Sequence, residues 1–97
     1  MKSEKKVEEV LKQHKKDLAE KYRVKEIGVF GSYVRGEQGK RSDVDILVEF
    51  EEVPDLFKFI ELERYLERIL KKKVDLVEKN GLRPRLKDII LNEVVYV

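Results

Sequence analysis

Gly31-Ser-Tyr-Val-Arg-Gly-Glu-Gln-Gly-Lys-Arg-Ser-Asp-Val-Asp-Ile-Leu-Val-Glu-Phe50 is the stretch from which the rest of the chain is read. Its second half, Asp43 to Phe50, alternates as a strand does. Val44, Ile46 and Val48 share one face, and Asp43 and Asp45 share the other, about 6.7 Å apart along the strand. Two like charges so close repel: at an effective dielectric near 20, carboxylates at ~4 Å cost up to about 4 kcal/mol. Folding alone has no use for that cost, although an exposed edge strand with two solvated acids would tolerate it. A divalent cation reverses its sign, since Mg²⁺ takes oxygen ligands from one or two carboxylates, substrate phosphates and water. In the first half, Gly31-Ser32 ends the β-branched strand Val24 to Phe30 and opens a short helical turn over 32–36. Free amides at such a turn suit a phosphate. A glycine there also simply permits a tight turn. Residues 37–42, including Gly39, Lys40 and Arg41, form a polar loop.

Outward from this stretch, Val7, Val10, Leu11, Leu18 and Tyr22 keep helical spacing, predicting one amphipathic helix over 3–22. His14 lies on its apolar stripe and reads as a partly buried packing residue. Leu56, Phe59, Ile60, Leu66, Ile69 and Leu70 predict a second helix, ended by Lys71, Lys72 and Lys73 at the negative end of its dipole. Residues 73–78 form a third strand, with Val74 and Leu76 on one face and Asp75 on the other. Asn80-Gly81 turns the chain, a last helix runs from about Arg85 to Asn92, and Val94 to Val97 is a terminal strand. The pattern is α+β, a small mixed β-sheet packed with helices. If strands 43–50 and 73–78 are neighbours, Asp75 joins Asp43 and Asp45 in a three-carboxylate cluster. Two-metal phosphoryl chemistry uses such a cluster.

With 97 residues there is room for one core, so residues 1–97 are read as a single domain. Hydrophobic residues make up 41%, enough for a packed interior, and charged residues 43%, against about 25% in an average domain. The 22 basic and 20 acidic residues nearly cancel, which argues against direct nucleic-acid binding; Lys12, Lys15 and Lys16 read as a solvated helix face. Absence of cysteine excludes disulfides, thiolate metal sites and cysteine nucleophiles, and a single histidine excludes multi-histidine metal sites. No apolar run is long enough for a membrane span and the N-terminus is charged, so a cytoplasmic protein without membrane association is expected.

Residues 31–45 resemble the signature of the DNA polymerase β-like nucleotidyltransferase superfamily, Gly-Ser, ten residues, then Asp-x-Asp. Gly31-Ser32-x-x-Arg35-Gly36, with Ser42 before Asp43, resembles more narrowly the minimal nucleotidyltransferases that serve as antitoxins beside HEPN-domain toxins. Seven fixed positions at roughly 6% each match by chance about once in a few hundred million windows. The resemblance implies the polymerase β-like fold, with Asp43, Asp45 and Asp75 as catalytic residues and metal ligands for two Mg²⁺ ions. It further implies that Gly31 and Ser32 hold the phosphates of ATP. Arg35 would reach the triphosphate or, alternatively, form a salt bridge that fastens the 36–42 loop. Tyr33 stands where the family often has arginine. The implied reaction moves AMP from ATP to a hydroxyl, a tyrosine of a HEPN toxin, with release of pyrophosphate. The alternative is a catalytically silent binding module that neutralises its partner by complex formation.

Overall fold

The computed structural model describes residues 3–39 and 43–97, with side chains from Lys6 onward. Lys40, Arg41 and Ser42, including the serine of the motif, lie outside the described residues.

The first apolar stripe forms two helices rather than one, α1 (Ser3–Gln13) and α2 (Lys15–Tyr22). His14 breaks them with φ −104° and ψ 8°, its amide shared between the carbonyls of Val10 and Leu11 at 3.2 Å. The break keeps Val7 and Leu11 on one side of it, and Leu18 and Tyr22 on the other, in the same core. His14 itself is half-buried and meets the Tyr65 ring edge-on at 6.0 Å, the packing role expected of it.

Strand β1 (Val24–Phe30) leads through the one-turn helix α3 (Ser32–Arg35) to β2 (Val44–Phe50). Helix α4 (Leu56–Leu70) starts at Asp55, whose side chain accepts the Lys58 amide at 2.8 Å, and ends in a left-handed Lys71. It buries Leu62, Tyr65, Leu66 and Leu70. Leu56 and Ile60, expected on the buried stripe, are 69% and 41% exposed. Ile60 lies about 120° around the axis from Leu66 at 100° per residue, and so faces away from the sheet. Strand β3 (Val74–Glu78), a 3₁₀ turn at Lys79–Gly81, helix α5 (Pro84–Glu93) and strand β4 (Val95–Tyr96) complete the chain.

The sheet order is β3-β2-β1-β4. Strand β1 is antiparallel to β2 and β4, and β2 is parallel to β3, so the sheet is mixed as the sequence implies. Val44, Ile46 and Val48 pack in one apolar cluster with α1, α2 and α4. On the opposite face, Phe30 and Leu47 pack against Ile90 of α5. None of the described helices is long and apolar enough to cross a membrane.

At Gly28, β4 and the residue before it lie close against β1: a Cβ there would lie 2.7 Å from Val94 Cγ2 and 2.9 Å from the Val95 carbonyl oxygen. Gly28→Ala should therefore lift β4 and lower stability by about 1–3 kcal/mol in urea unfolding. An unchanged midpoint would show that β4 gives way without loss.

Candidate active site

Parallel pairing of β2 with β3 sets Asp45 directly opposite Asp75, and Val44 opposite Val74. The two acids lie on the face away from the main core, on the side where Leu47 meets α5. Asp43, one residue before β2, is exposed, as is Asp75, while Asp45 is half-buried. Burial raises the Asp45 carboxyl above the ordinary carboxylate value, and the charges of Asp75 and then Asp43 raise it further, opposed by Arg35. The strand adjacency on which Asp75 depended is thus present, and Asp45 feels the charges of the other two acids. Among the described residues, however, no group of three or more His, Asp or Glu is gathered tightly enough to hold a metal ion as it stands.

Gly31 abuts Asp45. Its φ of 78° and ψ of −151° belong to a region open essentially to glycine alone. A Cβ there would collide with the Asp45 carboxylate. The Gly31 carbonyl accepts the amides of Val34 and Arg35 at 3.1 Å, closing the α3 turn. The amides of Ser32 and Tyr33 fall at the start of that turn, where no preceding helical residue supplies an acceptor. Tyr33 is only 2% exposed and belongs to the main core, so its side chain is a packing residue beneath the site.

Arg35 donates through Nε to Glu37 at 2.9 Å and through Nη1 to both carboxylate oxygens of Glu93 at 2.8 and 2.9 Å. The first contact ties α3 to the following loop, as the salt-bridge reading of Arg35 expects. The second brings in a residue absent from the sequence-based site. Glu93 also accepts the Gly31 amide at 3.3 Å, and its charge contributes to the rise at Asp45. The sequence-based helix stops at Asn92, one residue short; only with α5 running to Glu93 does an acid stand in the last turn, where it opposes the helix dipole and calls for a cation.

A strand-ending glycine, a one-turn helix and acids paired across β2 and β3 compose one corner of a mixed sheet. Residues 11–97 match the family model described as Nucleotidyltransferase domain. The chain belongs to the nucleotidyltransferase domain family. This nucleotidyltransferase is 59% identical over 91 residues to the protein adenylyltransferase MntA of Thermococcus cleftensis, covering 94% of this chain and 92% of the relative. It is similar to a solved structure assigned to the minimal nucleotidyltransferases, at 35% identity and a TM-score of 0.75, covering 92% of this chain and 93% of that one. A toxin–antitoxin complex with AMP-PNP is similar at 27% identity and a TM-score of 0.72, covering 87% of this chain and 69% of that chain. The nucleotidyltransferase is therefore an enzyme of the fold and family that residues 31–45 resemble.

Proposed function

We propose that this nucleotidyltransferase moves AMP from ATP to a hydroxyl, a tyrosine of a HEPN-domain toxin, and thereby acts as the toxin's antitoxin. The observation that carries the reading is the cross-strand pairing of Asp45 with Asp75 beside the Gly31 turn. The similarity to a protein adenylyltransferase, and to an antitoxin complex with an ATP analogue, supports adenine nucleotide as the donor. A partner chain also suits the exposed apolar residues Val53, Leu56, Phe57 and Ile60, spaced along one side of the start of α4.

The donor set is all carboxylate oxygen, which fits Mg²⁺, and the mutual repulsion at Asp45 is the charge excess that a hard cation relieves. Asp43, Asp45 and Asp75 would hold it. Bound there, magnesium supplies neutralisation of the triphosphate and activation of the attacking hydroxyl. Asp75, exposed beside Asp45, would take the hydroxyl proton on a carboxylate oxygen. The hydroxyl oxygen bonds to the α-phosphorus as the bond to pyrophosphate breaks. Gly31 and Ser32 hold phosphate oxygens through their amides, and Arg35 adds positive charge.

Intact-mass spectrometry of a HEPN-domain toxin that binds this chain, incubated with it, ATP and Mg²⁺, tests the proposal. The toxin should gain one or more AMP units with wild type and none with Asp43→Asn/Asp45→Asn. A stable complex formed by both versions with no mass gain would instead establish neutralisation by binding alone.

A further inference from the structure

We propose that Glu93 is a resident anion: its carboxylate occupies the seat that a phosphate oxygen of the nucleotide takes, and binding of the nucleotide displaces it. The inference rests on the phosphate-holding role proposed above for Gly31 and Arg35, and it deepens that role. Glu93 receives the Gly31 amide at 3.3 Å and the Arg35 Nη1 at 2.8 and 2.9 Å. An amide and a guanidinium converging on two oxygens of one anionic group are the donors that a phosphate engages. A carboxylate and a phosphate edge present the same pair of acceptors to them. Arg35 at 49% and Glu93 at 21% exposure keep this ion pair at the surface, within reach of an incoming anion.

Two further features favour exchange over a permanent latch. Glu93 is the last residue of α5, where the dipole disfavours an acid, so its hold depends on Arg35. Its charge also adds to the acid repulsion at Asp45. The seated carboxylate therefore keeps Arg35 and the Gly31 turn ordered before the nucleotide arrives, at the expense of apparent affinity. Such competition weakens binding by the fraction of molecules in which the seat is open.

Inorganic triphosphate with Mg²⁺ is the probe, titrated into wild type, Glu93→Gln, Arg35→Gln and the double variant, with the Gly31 amide followed by NMR. Glu93→Gln keeps the shape and removes the charge. It should bind triphosphate about tenfold more tightly than wild type, as expected if the seat is open in about one molecule in ten. The gain should vanish in the Arg35→Gln background. A purely structural Glu93 predicts the opposite, weaker binding in Glu93→Gln, and that result overturns the proposal. So does equal affinity, or no binding to either form at millimolar triphosphate. Backbone spectra of each variant confirm that it is folded, and Glu93→Ala repeats the comparison without the amide. The two proposals fail separately. AMP transfer by wild type together with unimproved binding in Glu93→Gln sinks the resident anion alone. Tighter binding in Glu93→Gln without transfer to the toxin sinks the transfer reading alone.

Discussion

Asp45→Asn is expected to lower AMP transfer about 10³-fold or more while leaving the chain folded. The magnitude follows from the proposed cation, whose Lewis acidity would be worth several kcal/mol in phosphoryl chemistry, at about 1.4 kcal/mol per decade of rate. Asp45 is the acid most committed to the site, half-buried between Asp75 across the strand pair and the Gly31 turn. The same position makes it a burden when no metal is bound. Its carboxyl holds its proton to higher pH in the folded chain than in the unfolded one, because burial, Asp75 and Asp43 all disfavour the charge. From the ordinary carboxylate value of about 3.9 up to the raised folded value, the folded state binds more protons, so stability falls as pH rises. Arg35 opposes this shift and Glu93 adds to it. Metal-free Asp45→Asn should thus be as stable as wild type or more so at pH 7, and the two should converge below about pH 4. Urea titrations across pH check this. A loss above about 2 kcal/mol at pH 7 would make Asp45 a structural residue, since so large a loss requires a specific lost interaction.

Gly31→Ala should damage both stability and activity. A side chain at φ 78° and ψ −151° costs about 1–3 kcal/mol of backbone strain. The added Cβ also lies 2.9 Å from the Asp45 Cγ and forces that carboxylate aside. Together these predict a loss of about 2–4 kcal/mol. A displaced carboxylate should also lower AMP transfer about 10²-fold, the loss that misplacement by about 1 Å brings. Gly36→Ala is the internal control. Gly36 has φ 73° but nothing within 4 Å of its Cβ position, so only the left-handed penalty of about 1–2 kcal/mol applies. If both variants lose stability equally, contact with Asp45 contributes nothing. If Gly31→Ala keeps full activity, Asp45 has room to move without consequence for transfer.

Residues 43–50 and 73–78 were legible as strands, within a residue of Val44–Phe50 and Val74–Glu78, because alternation along a strand is a local property. The pairs of acids and valines on opposite faces follow from that period alone. The motif of residues 31–45 likewise carried the family, since its residue types and spacing are local too. Periodicity was less reliable where contacts end. The stripe from Val7 to Tyr22 is continuous in sequence, yet His14 divides it so that both halves reach one core. Leu56 and Ile60 follow helical spacing, yet stand clear of the sheet at the start of α4.

By itself, then, the sequence determined the strands, the three acids, the glycine turn and the family to which they belong. Only the tertiary structure decided that β2 and β3 are parallel neighbours, which places Asp45 opposite Asp75. It alone brought Glu93 across 62 residues to the Gly31 amide and onto Arg35. The physical reason is that side-chain periodicity reports which face of an element is apolar. Which faces meet is set by how helices and strands pack over one another, and that is a property of the whole chain.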